Sequence, residues 1–350
     1  MAPAPKRIRV LIVDDSVFFR TVLTNVFVRS QQIQVVGSAA DAFEARDKIR
    51  ELKPDVVTLD INMPKMNGID FLKELIPKNW MPVVVITTQS DIVFEAMNAG
   101  AVDFVEKPAM TPGHNLDAFA DDIINKIVIA SSATPANHNR RVAAVKRYTT
   151  AGPRLMLRPE GGLIALGAST GGTEATSFIM KQLPADLPGM VIVQHMPPVF
   201  TSMYAQRLDR ETKYTVKEAE DKDRIRRGHA YVAPGDKHII VVKEGTDMYI
   251  RTNVGEKVNG HRPSVDVMFD SVAKFADKTT TGIILTGMGA DGAKGIVKMR
   301  KRGAFTIGQD EQSSVVYGMP MVAQKLGGIV KQASLDTIAK VLVDHLAGKL

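Results

Sequence analysis

The chain has 350 residues, of which 45% are hydrophobic and 24% charged, values typical of a globular protein with room for two domains. Because it contains no cysteine, disulfides, thiolate metal sites and a cysteine nucleophile are excluded. No stretch approaches the roughly 20 apolar residues of a membrane helix, and the first residues lack the apolar segment of a signal peptide. We therefore expect no membrane insertion and a cytoplasmic location.

The net charge of +7 is spread unevenly along the chain. Residues 1–125 carry 13 Lys and Arg against 17 Asp and Glu, residues 126–160 carry 7 against 1, and residues 161–350 carry 25 against 20. Basic proteins often bind nucleic acids, but no helix-turn-helix, zinc finger or aromatic-basic surface pattern accompanies this excess. We expect no nucleic-acid partner.

The first 128 residues alternate strand and helix patterns, which predicts one α/β domain. Helical patterns begin at Ser16 and run again from Ala39 to Leu52, just before Pro54. Short strands are predicted at residues 10–13, 35–38, 56–59, 83–86 and 103–106. Five short strands joined by helices indicate a parallel sheet that is covered on both faces.

Charged and hydroxyl side chains follow four of these strands: Asp14 and Asp15, Asp60, Thr87 and Lys107. Three carboxylates at one sheet edge repel one another unless a hard cation such as Mg²⁺ neutralises them. Asp60 could then attack a phosphoryl donor, with the Thr87 hydroxyl and the Lys107 charge beside the phosphoryl oxygens. Single acidic residues are common where loops begin, but the ordered set favours a phosphorylation site.

This set, together with the sequence DINMPKMNG that begins at Asp60, resembles the receiver domain of two-component response regulators. The resemblance covers about residues 6–128 and implies a flavodoxin-like fold. It also implies that a histidine kinase phosphorylates Asp60, that Asp14 and Asp15 hold Mg²⁺ with it, and that Thr87 and Lys107 sense the phosphate.

Residues 129–160 lose this periodicity and contain the Pro, Ala, Asn and Arg residues typical of a linker. A second alternating pattern begins at Leu163. It predicts that residues 161–350 form a doubly wound, mostly parallel α/β domain.

Three apolar runs in this second domain end in residues that a hydrolase could use. Ser169 follows the run LIAL, His195 follows VIV, and Asp291 lies in the turn that follows GIIL. Parallel sheets gather chemistry at the carboxyl ends of their strands, so the three side chains are expected at one edge. We interpret them as a nucleophile, its base and the group that orients the base, which predicts acyl-transfer chemistry.

Two other readings of the G-x-S-x-G pentapeptide around Ser169 fit less well. A dinucleotide loop would need glycine where Ser169 stands and an acidic residue where Gln194 and His195 stand. An α/β-hydrolase would order its triad Ser, Asp, His, but the same triad geometry occurs on unrelated folds in several orders. Each residue taken alone could be an N-cap, a loop histidine or a turn residue.

In the proposed mechanism His195 accepts the Ser169 proton and Asp291 holds the imidazole. Backbone N–H groups near Thr170 and Met288 could stabilise the oxyanion. A second cluster, His261 to Asp266, is interpreted mainly as a helix start, with Ser264 as the N-cap, Asp266 in the first turn, and His261 and Arg262 as candidate cleft residues. Gln309 is a further candidate for the same sheet edge.

From about Leu163 onward the chain closely resembles the CheB family of chemotaxis protein-glutamate methylesterases. The resemblance rests on the motifs GASTGG at 167–172, QHMPP at 194–198, APG at 233–235, HRPSVD at 261–266 and LTGMGADG at 285–292. Departures from the family pattern are Ser313-Ser314 in place of a Ser-Cys pair, Met321 where Lys is frequent, and Arg226-Arg227-Gly228 without an expected Pro. These positions lie outside the predicted triad and bear on substrate preference.

The resemblance implies hydrolysis of glutamate γ-methyl esters on methyl-accepting chemotaxis receptors, with release of methanol, and deamidation of receptor glutamines. Ser169, His195 and Asp291 carry over as the catalytic triad, and Thr170 and Met288 as site-lining positions. The family implies Mg²⁺ in the receiver, no cofactor for the esterase reaction, a chemotaxis histidine kinase as phosphodonor, and inhibition by the unphosphorylated receiver. The alternative is a receiver fused to a catalytically silent protein-binding module.

Overall fold

The computed structural model describes residues 6–89, 92–108, 116–134 and 162–350. These residues divide into two compact units, one on each side of residues 135–161. Most of the predicted linker 129–160 lies outside the described residues, and its first two residues belong to a helix that ends at Ala130. No helix within the described ranges is both long and apolar enough to cross a bilayer.

The first unit contains a five-stranded sheet in the order β2-β1-β3-β4-β5, with every neighbouring pair parallel. This strand order is the flavodoxin-like one, and it confirms the predicted fold of the N-terminal domain. The elements are β1 (Ile8–Val13), α1 (Val17–Val28), β2 (Ile33–Ala39), α2 (Ala42–Leu52), β3 (Val56–Asp60), α3 (Gly68–Lys78), β4 (Val83–Thr87), α4 (Val93–Asn98), β5 (Asp103–Glu106) and α5 (Leu116–Ala130).

The predicted start of the second helix at Ala39 is wrong. Ala39 is the last residue of β2, where it pairs with Val13 of β1. The helix begins at Ala42 because the Asp41 carboxylate accepts hydrogen bonds from the backbone N–H groups of the first turn. The position of the N-cap Asp41 therefore decides where the helix begins.

The second unit is built on a seven-stranded sheet in the order β14-β13-β12-β6-β7-β9-β8, in which all neighbouring pairs are parallel. Beside it stands one antiparallel hairpin, β10-β11. The elements are β6 (Leu163–Ala168), α6 (Gly172–Met180), β7 (Gly189–Gln194), α7 (Pro198–Glu211), β8 (Thr215–Glu218), β9 (His229–Val232), β10 (His238–Glu244), β11 (Asp247–Asn253), α8 (Val265–Ala273), β12 (Thr280–Ile284), α9 (Ala293–Lys301), β13 (Phe305–Gln309), α10 (Met319–Lys325), β14 (Lys331–Ala333) and α11 (Leu335–Leu346).

Strand β6 lies in the middle of this sheet, between β7 and β12. All three strands are buried along their whole length, because they are apolar runs covered on both faces. The chain leaves β6 toward β7 on one side and later returns to β12 on the other. Such a reversal of strand order opens a crevice at the carboxyl ends of the strands, which is where ligands bind in open α/β sheets. The doubly wound, mostly parallel architecture predicted for residues 161–350 is confirmed.

Candidate active site

Ser169 follows the last residue of the central strand β6 and is half-buried. Its backbone N–H donates to the Thr286 carbonyl (3.0 Å), and its own carbonyl accepts from the Gly172 N–H (2.7 Å). The turn is tight, since a Cβ on Gly287 would lie 2.6 Å from the Ser169 Cβ. The absence of a side chain on Gly287 therefore lets the loop after β12 approach the serine closely.

His195 follows the neighbouring strand β7, and its backbone N–H donates to the Ala168 carbonyl (3.1 Å). The imidazole Nε2 lies 2.8 Å from Asp291 Oδ2. Because an ionised carboxylate only accepts hydrogen bonds, Nε2 carries the proton and Nδ1 of the neutral ring carries the lone pair. Nδ1 is buried and has no hydrogen-bond partner among the described residues, and within them no hydrogen bond joins the Ser169 hydroxyl to this ring.

Asp291 lies in the loop after β12 and is only 1% exposed. Its carboxylate accepts five hydrogen bonds, from His195 Nε2, Asn259 Nδ2, Ser264 Oγ and the backbone N–H groups of Val265 and Asp266. Two of these donors are the first amides of α8, so the positive end of that helix faces the carboxylate. Burial alone would raise the pKa of Asp291, but the hydrogen bonds, above all that from His195, outweigh burial and lower it.

The predicted cluster from His261 to Asp266 supports this site directly. Ser264 is the N-cap of α8, as predicted, and its hydroxyl also donates to Asp291. His261 stacks on His195 with ring centroids 3.7 Å apart and planes 10° apart. Burial, together with the charge that His195 can carry, lowers the pKa of His261 to about 4. Arg262 instead forms an ion pair with Asp236 at 2.6 Å.

Thr170 and Met288 occupy the two loops that meet at Ser169. Thr170 is buried, and its carbonyl accepts from the Thr286 hydroxyl (3.0 Å). Met288 is partly exposed in the glycine-rich turn after β12. Gln309 lies behind them, fully buried, with its Oε1 accepting from the Thr286 N–H (2.8 Å). Through this hydrogen bond Gln309 holds the loop after β12 in place, so its role in this structure is to support that loop.

Sequence reasoning missed Asn259, which donates to both Asp291 and Asp266 at 2.8 Å. The only signal was the dipeptide Asn259-Gly260, which indicates a tight turn but not the residues that the turn contacts. Asp266 was predicted as a first-turn residue, and it holds that place in α8. It is also buried, and it accepts a hydrogen bond from the Gly295 N–H at 2.7 Å.

The strand ends of the first unit gather the predicted acidic set. Ligand oxygens of Asp14, Asp15 and Asp60 lie within 4.8 Å of one another. Lys107 Nζ lies 2.8 Å from both Asp14 Oδ2 and Asp60 Oδ2. Thr87 is buried as well as Asp14 and Asp60, and its hydroxyl accepts a hydrogen bond from the Gln89 N–H (3.0 Å).

This acidic cluster fits a hard divalent cation. Burial raises the pKa of Asp14, and the charge of Asp60 adds to the effect, although hydrogen bonding to Lys107 opposes it. Three carboxylates lie here beside the single positive charge of Lys107. Oxygen ligands in this arrangement are those that Mg²⁺ prefers.

The fold and the two clusters define a class of protein: a response-regulator receiver followed by an α/β domain that carries the elements of a serine hydrolase. Family models match at both places, the response regulator receiver domain at residues 10–118 and CheB methylesterase at residues 164–342. The chain belongs to the CheB methylesterase family, with an N-terminal receiver domain. Both resemblances predicted from the sequence are thereby confirmed.

Similar proteins match this chain over nearly its whole length. A protein of Syntrophomonas wolfei named protein-glutamate methylesterase/protein-glutamine glutaminase 2 is 49% identical, over 96% of this chain and 97% of its own. A protein of Salmonella typhimurium with the corresponding name is 42% identical, over 97% of each chain. The crystal structure of the Thermotoga maritima CheB methylesterase catalytic domain matches with 36% identity and a TM-score of 0.52, over 53% of this chain and 98% of that domain.

Proposed function

We propose that this enzyme hydrolyses glutamate γ-methyl esters of chemoreceptors, deamidates receptor glutamines, and is activated when Asp60 is phosphorylated. The observation that carries the proposal is the buried pair of His195 and Asp291, 2.8 Å apart, at the strand end next to Ser169. The full-length relatives named for these two activities support the choice of substrate. They also disfavour the alternative of a catalytically silent binding module.

In the acylation step the Ser169 hydroxyl attacks the ester or amide carbonyl carbon of the receptor side chain. Its proton passes to His195 Nδ1, the nitrogen left with a lone pair by the bond from Nε2 to Asp291. The ionised Asp291 stabilises the imidazolium that forms. The same proton then moves from Nδ1 to the leaving group, which departs as methanol or ammonia.

Deacylation repeats the sequence with water as the nucleophile, which gives a free glutamate and regenerates Ser169. The negative charge on the carbonyl oxygen needs donors in both steps. We assign this role to backbone N–H groups at Thr170 and Met288, which lie on the two loops that flank Ser169. The N-terminal end of α6 begins two residues after Thr170 and adds a favourable dipole.

In the receiver, Asp60 is the proposed phosphoryl acceptor and a chemotaxis histidine kinase the proposed donor. Asp14, Asp15 and Asp60 would hold Mg²⁺, which when bound neutralises charge on the phosphoryl oxygens. Lys107 contacts Asp60, which supports its proposed contact with a phosphoryl oxygen, and Thr87 is proposed to offer its hydroxyl. The proposed place of action is the cytoplasm.

The test is methanol release from methylated chemoreceptor membranes, with and without acetyl phosphate and Mg²⁺. Wild-type protein should release methanol faster with the phosphodonor, and Ser169→Ala should release none. Asp60→Asn should keep the basal rate and lose the activation, while Asp70→Asn, at an exposed carboxylate of the same unit, should behave as wild type. Undiminished release by Ser169→Ala would refute the mechanism, and equal activation of Asp60→Asn would refute the switch.

A further inference from the structure

A two-residue turn stands beside the His195–Asp291 pair. The backbone of Val258 and His261 is joined by reciprocal hydrogen bonds of 3.1 and 3.0 Å. Between them Asn259 has φ 54° and Gly260 has φ 83°. Asn-Gly is the dipeptide that adopts two successive positive φ angles most readily, so the turn is well defined by its own sequence.

The Asn259 side chain leaves this turn and joins two buried carboxylates. Its Nδ2 donates to Asp291 Oδ1 and to Asp266 Oδ2, each at 2.8 Å, which uses both amide protons. Asp291 and Asp266 are 1% and 6% exposed. Without the amide, each of these two buried carboxylates would lose one hydrogen-bond donor, and little water could replace it.

Building on the function proposed above, we propose that Asn259 is a positioning residue that keeps the charge on Asp291 and its Oδ2 directed at His195. The distribution of donors supports this role. Among the described residues, Asp291 accepts five hydrogen bonds, whereas Asp266 accepts two, from Asn259 and the Gly295 N–H. In agreement, burial raises the pKa of Asp266, while hydrogen bonding lowers the pKa of Asp291 against the effect of its burial.

The same turn also contacts the other partner of the pair. His261, its last residue, stacks on the His195 ring. One turn therefore touches the imidazole through His261 and the carboxylate through Asn259. Since both contacts come from four consecutive residues, a change in the turn is expected to act on the orientation of the pair and not on substrate binding.

The first test variant is Asn259→Gly in the full chain, because glycine keeps the positive φ and removes the amide together with its Cβ. We expect kcat for methanol release to fall on the order of 10-fold, the effect of losing one hydrogen bond to a charged group. KM should stay unchanged, since Asn259 is assigned no substrate contact. Lys222→Gly is the matched control, because Lys222 is another exposed residue of this unit with positive φ (70°), and it should retain wild-type kcat.

The second variant, Asn259→Asp, keeps the size of the side chain and a residue type that tolerates positive φ. It places a third carboxylate against Asp266 and Asp291. The added negative charge favours the protonated imidazole of His195, so the acid limb of the pH profile of kcat should move to higher pH. A purely structural role would lower the amplitude of the profile without moving this limb.

A readout independent of turnover is the downfield proton resonance of His195 Nε2–H in the NMR spectrum. We expect it to move or broaden in Asn259→Gly and to stay unchanged in Lys222→Gly. The inference is overturned if Asn259→Gly keeps the wild-type kcat and resonance, or if kcat falls while both the resonance and the pH profile of Asn259→Asp stay unchanged. If wild type releases no methanol but the resonance responds, the proposed function fails and the positioning role stands.

Discussion

Ser264 links the stability of the catalytic unit to its proposed triad, so its removal is a quantitative test of the site. The hydroxyl donates to Asp291 Oδ1 at 2.7 Å and accepts from the Val267 N–H at 3.4 Å. Both contacts are lost in Ser264→Ala, and the residue is fully buried, so water cannot replace them without rearrangement.

The two contacts differ in strength. The cap bond at 3.4 Å is long, so it should contribute about 0.5 kcal/mol, the low end for N-caps. The short bond to an ionised carboxylate should contribute about 1.5–3 kcal/mol. We therefore expect Ser264→Ala to lower the free energy of unfolding of the second unit by about 2–3.5 kcal/mol. For a unit of this size that corresponds to a decrease in Tm of roughly 5–12 °C.

The assay is calorimetric unfolding of the full chain at neutral pH, with kcat for methanol release measured on the same preparations. Ser16→Ala is the control, because Ser16 caps α1 through Phe19 N–H at 3.2 Å but its hydroxyl has no carboxylate partner among the described residues. It should cost about 1 kcal/mol, confined to the receiver transition. A loss below about 1 kcal/mol in Ser264→Ala would refute the strong bond to Asp291.

Two further predictions concern protonation. Burial would raise the pKa of Glu211, but hydrogen bonds from Lys181 and two other side chains lower it to about 2 from the usual 4.5. The ionised Glu211 therefore stabilises the folded protein fully above pH 4.5, and this contribution is lost as the pH falls toward 2. Glu211→Gln should flatten the pH dependence of urea unfolding across that window, and parallel curves for both proteins would contradict this. His261 is neutral above about pH 4 and stacks on His195, so His261→Phe should keep the stacking and lose less than about 3-fold in kcat. His261→Lys should lose about 10-fold in kcat, because a cation at this position opposes protonation of His195. Equal losses in these two variants would argue against stacking as its role.

Local sequence patterns were sufficient to predict two α/β units and the strand ends at which the candidate site residues lie. Apolar runs of three or four residues identified the central buried strands, because parallel strands covered on both faces are apolar along most of their length. The residue after such a run lies at the carboxyl edge of the sheet whatever the order of the strands. Asp60 and Ser169 could therefore be assigned to functional edges from the sequence alone, and Ser264 could be assigned as an N-cap from its residue type.

Only the tertiary structure decided how these edges combine. The order of strands puts β6 between β7 and β12, which brings Ser169, His195 and Asp291 to one edge of the sheet although 122 positions separate the first from the last. The side-chain contacts also show that Nε2 of His195 faces Asp291, and that the Asn259 amide joins Asp291 to Asp266. Such contacts depend on crossover paths and side-chain directions, whereas sequence periodicity reports only which face of an element is buried.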